Sequence, residues 1–349
     1  MYNRIAYVEW LRVIACFAVI VFHVSGGQEW FSAKEVSFEW TIFNLYDSLV
    51  RWCVPIFIMI SGALFLNPEK EIGIHKLYVH NTFRIFTSFV FWSFVYASYN
   101  FIGSEDSNRI NGWIIQFLGG HFHMWFLWLI IGLYIMTPIL KKISKDKKLV
   151  QYLILISIFS NFVIPFLLDI TDIFIPAFQP IVSIIQSHLT NLNLQAIGGY
   201  VTYFFLGYYL STIRPERIKV NLLIILFFFA SIAIAGLTYM LFYIEGNPSQ
   251  EFYKYNTFLV LLQSVSIFLT CKYYFYEKSS KIISILSKYS FGIYLVHMLI
   301  IYLLVSYRIT PLVINPIFGI AMMSVLTFLI SFGVIALISR MPIIRKWCI

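Results

Sequence analysis

Charged side chains are scarce in this sequence. Only 12% of its 349 residues are Asp, Glu, Lys or Arg, whereas 60% are hydrophobic and 19% are aromatic, and the mean hydropathy is +0.81. A water-soluble domain cannot bury so much apolar surface. The composition therefore excludes a soluble protein and predicts an all-α, polytopic membrane bundle.

Cysteine is also rare, and the positions of the four cysteines disfavour two kinds of site. They have neither the close pairing expected of a disulfide nor the spacing of metal ligands, so we expect free thiols at Cys16, Cys53, Cys271 and Cys348. Residues 1–8 contain no cleavage site with small residues, so the first apolar run is expected to remain as a span. No repeat of fixed period is found, which weakens models built on inverted repeats.

About ten apolar runs are long enough to cross a bilayer. They lie near 5–25, 41–66, 83–102, 124–140, 150–168, 196–212, 219–243, 256–276, 289–306 and 317–339. Nineteen Lys and Arg residues fall in the connections on one side and four on the other. Because basic loops favour the cytoplasmic side, this count predicts that both termini are cytoplasmic. It also explains the net charge of +9 as a topology signal, so that no binding of nucleic acid is implied. We expect one integral membrane domain over residues 1–349, with no appended soluble domain.

The first span carries ionisable residues that a membrane helix ordinarily lacks. Glu9 lies three residues before Arg12, and His23 lies eleven after it, about 20° away in projection and about 16 Å along the axis. A polar cavity or a partner helix must accompany such a row. A neutral imidazole at His23 can take a proton from a hydroxyl. Alternatively, Glu9 and Arg12 form a snorkelling ion pair, and His23 hydrogen-bonds a carbonyl at a helix end.

The second span combines a charge pair with a helix breaker. Asp47 and Arg51 are four residues apart and face each other on a helix, and Pro55 removes a backbone hydrogen bond. Ser61, followed by a glycine, permits hydrogen bonding or close helix approach. These features predict a polar pocket at mid-membrane. The alternative is that the charge pair only ties two helices together.

Two later segments supply candidate contacts for a ligand. His123, Trp125 and Trp128 open the fourth span, where the aromatic rings either stack on a sugar or form an interfacial belt. The His-Phe-His spacing suits no common zinc motif, so no metal site is expected. Tyr294 and His297 lie in the ninth span, at a depth we predict to be inward of the first-span histidine, where a structural role is the alternative for His297.

A basic segment precedes the third span. Lys76, His80 and Arg84 form a positively charged surface at the predicted cytoplasmic side. Such a surface attracts phosphate groups, either those of lipid headgroups or those of a nucleotide cofactor.

Four motifs in order resemble the acyltransferase 3 family of integral membrane O-acyltransferases. They are Arg12 with His23, Arg51 followed by VPIFIMISG, HMWFLW at 123–128 with a following TP, and SFGIYLVH ending at His297. The resemblance implies a ten-helix bundle that moves an acyl group, usually acetyl, from cytoplasmic acyl-CoA to a hydroxyl of an extracytoplasmic envelope glycan. It implies a catalytic role for His23, paired with Arg12. Many members carry two arginines before the third span, whereas here only Arg84 is present.

The first functional hypothesis is an acyl-CoA-dependent O-acyltransferase in a bacterial inner membrane. His23 would act as general base or carry the acyl group, and Arg12 and Arg51 would hold the thioester or the oxyanion. The CoA phosphates would bind Lys76, His80 and Arg84. Expected partners are acetyl-CoA or another acyl-CoA, membrane lipids, a glycan or lipid-linked sugar, and other copies if the protein oligomerises. The acceptor would contact Glu9, Asp47, Ser61, His123, Trp125, Trp128, Tyr294 and His297.

Two other functions remain open from the sequence. In a transporter or exporter of a sugar or amino acid, the same buried charges would line a permeation path. A structural subunit of an envelope-synthesis complex would bind neither acyl-CoA nor glycan.

Overall fold

A computed structural model describes residues 5–348 except 71, 72, 74, 103–108, 195–197 and 218. The described residues form helices and connecting turns, with no strand. The α-helices, in order, are α1 (Ala6–Ser25), α2 (Gln28–Phe31), α3 (Phe38–Val50), α4 (Cys53–Phe65), α5 (Phe83–Ile102), α6 (Arg109–Gly119), α7 (Trp125–Ile143), α8 (Lys147–Ile158), α9 (Ile164–Phe174), α10 (Gln179–Asn191), α11 (Tyr200–Ser211), α12 (Val220–Glu245), α13 (Phe258–Phe275), α14 (Lys281–Ser306), α15 (Pro316–Ile338) and α16 (Pro342–Trp347).

Within the described residues, nine helical stretches are long and apolar enough to cross a membrane. Three of these stretches each join two α-helices: α3 with α4, α6 with α7, and α8 with α9. The predicted span at 196–212 corresponds to α11, which has only 12 residues and is therefore too short to be counted among the nine. The all-α, multi-pass bundle is confirmed.

The first helix lies at the centre of the bundle. It packs against α3, α4, α13, α14 and α15. Its Leu11 and Ile20 side chains are completely buried. Two hydrogen bonds also anchor α1, from Trp10 Nε1 to the Lys278 carbonyl at 2.9 Å and from Cys16 Sγ to the Ser290 carbonyl at 3.4 Å. The ionisable row of the first span is therefore held inside protein.

Short α11 is held by direct backbone contact with α4. A Cβ on Gly62 would lie 1.8 Å from the Phe204 carbonyl oxygen, and a Cβ on Gly207 would lie 1.9 Å from the Met59 carbonyl oxygen. Only glycine fits at both positions. Small residues allow membrane helices to approach closely, because dispersion contacts between backbones replace contacts with lipid.

Two interruptions shape the helices around the site. The break between α3 and α4 falls at Arg51 and Trp52, four and three residues before Pro55, as the missing proline N–H predicts. The break between α6 and α7 falls at Gly120, whose φ of +73° suits glycine. An extended His121 and a 3₁₀ turn at Phe122–Met124 follow it. This non-helical stretch carries two histidines into the bundle.

Candidate active site

A cavity of about 340 Å³ lies at the end of the bundle where the basic connections converge. Its cationic lining residues are Arg12 from α1, Arg84 from α5 and Lys288 from α14, with His80 beside them. No carboxylate is among the lining residues that the structure describes. We call this the inner cavity. Three permanent cations in a cavity whose described lining contains no carboxylate suit a ligand that bears phosphates.

A second cavity, of about 610 Å³, lies toward the opposite end. Its polar lining includes His23, His123 and Gln250, and aromatic rings form much of the wall, among them Trp125 and Tyr255. The rings of these two aromatic residues stack with centroids 5.9 Å apart. We call this the outer cavity. Aromatic faces with a few hydrogen-bonding groups are suited to a sugar.

The two cavities meet at three aromatic side chains. Phe57, Phe126 and Tyr294 line both of them. The ring of Phe126 lies 6.1 Å from that of Phe57 and 6.0 Å from that of Tyr294, measured between centroids. We call these three side chains the aromatic constriction. A ligand in the inner cavity and one in the outer cavity would contact each other only there.

Four imidazoles cluster beside the constriction. The ring centroid of His297 lies 5.1 Å from that of His23 and 5.2 Å from that of His123. His121 and His123 bring their Nδ1 atoms within 2.7 Å, and His121 Nε2 lies 3.0 Å from the Tyr302 hydroxyl. Among the described residues, no group of three or more His, Cys, Asp or Glu side chains is arranged to hold a metal ion.

Tyr294 connects the constriction to the histidine cluster. Its hydroxyl donates to the His123 backbone carbonyl at 2.5 Å, and its own backbone carbonyl lies 2.5 Å from His297 Nδ1. The sequence placed His297 inward of His23, and this was wrong. His23 is the 18th residue of α1 and His297 the 17th of α14, so in helices that both start at the basic end they reach the same depth.

The pair Asp47 and Arg51 lies buried beside the site. Their side chains are 0% and 4% exposed, and Arg51 Nη2 donates to Asp47 Oδ2. The guanidinium also lies 4.6 Å from the ring centroid of Phe22 and 3.7 Å from that of Tyr253. Neither charged residue lines the inner or the outer cavity. This geometry favours the alternative in which the pair ties helices together.

The other predicted contacts divide between the cavities and the helix surfaces. Ser61 lines the inner cavity, where its hydroxyl donates to the Phe57 carbonyl at 3.0 Å. Glu9 instead accepts from Ser284 Oγ at 2.5 Å, linking α1 to α14. Trp128 is 47% exposed and lines neither cavity. Lys76 is exposed and also lies outside both lining sets.

Sequence reasoning missed several lining or clustered residues. Lys288 was counted only as a basic residue of a connection, although it follows the start of α14 by two turns and reaches the inner cavity. His121 was considered only as the first histidine of the His-Phe-His segment, for a zinc motif that two histidines so spaced on one helix do not form. The extended backbone at His121 removes that constraint. Tyr302 carried no signal except its position two turns of α14 after Tyr294.

The arrangement separates two kinds of chemistry along one path. Cations that can bind phosphates lie in the inner cavity, and an imidazole that can move a proton lies in the outer one. Because Arg12 precedes His23 by eleven helical residues, about 16 Å separates them along the axis. Arg12 is thus too far from His23 for one small group to contact both side chains.

The comparisons with known proteins identify the family. The acyltransferase 3 model, described as an acyltransferase domain, matches residues 5–337, which is nearly the whole chain. No curated protein and no solved structure matches the chain. A match over this length covers α1, both cavities and the histidine cluster, and it indicates an acyltransferase. The chain belongs to the acyltransferase 3 family.

Proposed function

We propose that this protein is a membrane O-acyltransferase that transfers an acyl group from cytoplasmic acyl-CoA to a hydroxyl of an extracytoplasmic glycan. The observation that carries the proposal is the pair of cavities that meet at the aromatic constriction, with Arg12, Arg84 and Lys288 in one and His23 in the other. This order matches a donor with a phosphate-rich end and a reactive thioester end.

The donor would enter from the cytoplasmic side, where Arg84 and Lys288 lie in or next to connections rich in basic residues. Its phosphates would contact these cations, and its uncharged arm would pass Ile60 and Ile130 toward the constriction. Arginine and lysine bind phosphate oxygens strongly where the surroundings are apolar. The thioester would then lie at the boundary between the two cavities.

The acceptor would enter from the opposite side and place one hydroxyl near His23. The imidazole takes the hydroxyl proton, the oxygen attacks the thioester carbonyl, and the carbon–sulfur bond breaks. The departing thiolate takes a proton from the imidazolium, so that CoA leaves as the thiol and His23 returns to its neutral form. Acyl transfer through His23 itself, as a covalent carrier, would use the same positions.

The motif order is similar to that of the membrane O-acetyltransferase that modifies enterobacterial common antigen, so acetyl is our proposed acyl group. We propose an envelope glycan as the acceptor and the bacterial inner membrane as the location. The outer cavity supports a sugar-sized acceptor, because its aromatic wall and sparse polar groups suit a ring with hydroxyls. No glycan contact outside the outer cavity is needed to propose a glycan as the acceptor.

The test is transfer of label from radiolabelled acetyl-CoA to added glycan acceptors by purified protein in detergent or liposomes. His23→Ala should abolish transfer while leaving expression and thermal stability near those of the parent protein. The matched control is His188→Ala, because His188 is an exposed histidine on α10 outside both cavities. Near-normal transfer by the His23 variant would refute the assignment.

The two cavities in series also resemble a permeation path, which keeps the transporter function as the second candidate. It predicts flux of a sugar or amino acid across liposomes in the absence of acyl-CoA. Flux without acyl transfer would favour it. The aromatic constriction argues against it, because three large side chains divide the path at its middle.

A further inference from the structure

The histidine cluster contains a buried imidazole that has no role in the proposed mechanism. His297 is completely buried beside His23 and is not among the residues that line the outer cavity. The sequence predicted it to contact the acceptor. A side chain with no access to the cavity cannot do so, and this leaves its neighbours in the cluster as its partners.

The backbone sets the tautomer of His297. Its Nδ1 lies 2.5 Å from the backbone carbonyl oxygen of Tyr294. A carbonyl oxygen can only accept, so Nδ1 must carry the proton. In a neutral ring, Nε2 is then a bare acceptor. Within the described part of the chain this Nε2 is buried and has no hydrogen-bond partner.

The separation between His297 and His23 suits a hydrogen bond between ring nitrogens. In this same cluster, His121 and His123 have nitrogens 2.7 Å apart and ring centroids 4.9 Å apart. The centroids of His23 and His297 are 5.1 Å apart. At this separation, a His23 ring turned toward His297 can place one of its nitrogens within hydrogen-bonding reach of His297 Nε2. Catalytic hydrogen bonds often tighten only when the substrate is bound.

Resting on the proposed function, we infer that His297 positions His23: His297 Nε2 accepts the N–H of His23 and leaves the other His23 nitrogen bare toward the acceptor hydroxyl. When His23 takes the hydroxyl proton, the same hydrogen bond stabilises the imidazolium. His297 keeps its own proton on Nδ1 throughout, and no bond to it breaks. A neutral imidazole fills the orienting role that a carboxylate fills in a Ser-His-Asp triad.

The apolar surroundings account for the use of an imidazole instead of a carboxylate. A buried carboxylate needs a charged or strongly donating partner, whereas a neutral imidazole needs only one acceptor and one donor. The Tyr294 carbonyl supplies the acceptor. The His23 N–H supplies the donor. Among the described residues His123 also has a buried Nε2 without a partner, but its ring centroid lies 6.3 Å from that of His23, farther than that of His297.

Two amide substitutions test the hydrogen bonds of the two His297 ring nitrogens one at a time. Glutamine in His297→Gln places its amide near the position of Nε2, so its oxygen can still accept from His23. Asparagine in His297→Asn places its amide near Nδ1, where it can donate to the Tyr294 carbonyl but cannot reach His23. We expect His297→Asn to lower kcat by about 100-fold with an unchanged KM for the acceptor, and His297→Gln to retain activity within about tenfold of the parent.

The outcomes separate this inference from the proposed function. Equal activity of the two amide variants, or a rise in acceptor KM at unchanged kcat, would overturn the role of His297 while leaving His23 as the base. Absence of acyl transfer by the parent protein would instead overturn the proposed function. Stoichiometric zinc, nickel or copper in the purified protein that is lost in His297→Asn would show a metal site and overturn the inference.

A spectroscopic measurement covers the case in which His297→Asn fails to fold. ¹⁵N NMR of the parent protein with labelled histidine, with the His297 signals assigned by their loss in His297→Gln, should show a neutral ring protonated at Nδ1. This tautomer is the less common one for histidine in water. A ring protonated at Nε2 would contradict the acceptor role, whatever the activity of the variants.

Discussion

The buried pair of Asp47 and Arg51 gives the sharpest test of which charges serve stability and which serve chemistry. Arg51→Gln leaves Asp47, which is 0% exposed, without its cation. Breaking a buried pair in this way costs about 3–5 kcal/mol. At about 2 °C per kcal/mol for a chain of this size, the thermal midpoint should fall by roughly 6–10 °C. Thermal unfolding in detergent, followed by tryptophan fluorescence, measures the change.

The double variant Asp47→Asn with Arg51→Gln removes both charges and keeps the shape of the pair. Because no unpaired charge remains buried, we expect most of the lost stability to return. We also expect acyl transfer to return with it, because neither residue lines a cavity. A double variant of normal stability that transfers about 100-fold more slowly would refute this reasoning and establish the catalytic role that the sequence suggested for Arg51.

Three further predictions follow from the cavities and the helix contacts. Arg84→Gln should raise the KM for acyl-CoA about tenfold at constant kcat, whereas Arg308→Gln, on the predicted outer side, should leave both unchanged in steady-state assays. Phe126→Ala should widen the aromatic constriction. The kcat/KM for butanoyl-CoA relative to that for acetyl-CoA should then rise about tenfold, measured with the two donors side by side. Gly207→Ala should lower the free energy of unfolding by more than about 4 kcal/mol, because the new Cβ would lie 1.9 Å from a carbonyl oxygen. The control Gly132→Ala, with open space around its new Cβ, should change the free energy of unfolding by less than about 1 kcal/mol.

Features that depend on local chain chemistry were predictable from the sequence. The apolar runs predicted the spanning helices, since hydrocarbon leaves the backbone no other partner for its hydrogen bonds. Pro55 predicted the break at Arg51, and the four-residue spacing predicted the contact of Arg51 with Asp47. The helical period of α1 predicted an inward-facing row, and the structure places Arg12 and His23 in the two cavities.

Features that depend on register between distant helices were not predictable. The depth of His297 was misjudged because the predicted span began at residue 289, whereas α14 begins at Lys281. Nothing in the sequence measures how α14 lies against α1. Trp128 illustrates the same limit, because an aromatic residue at a membrane boundary suits a ligand wall and a lipid-facing belt equally well. Its contact with Phe89 and its exposure place it outside both cavities.

In the proposed mechanism, the donor and the acceptor approach the aromatic constriction from opposite sides of the membrane. Proteoliposomes of uniform orientation, with labelled acetyl-CoA on the basic side of the protein only and glycan acceptor on the other side only, test it directly. Label should appear on the acceptor across the bilayer, and it should not appear with His23→Ala. Transfer that occurs only when both substrates are on the same side would contradict it.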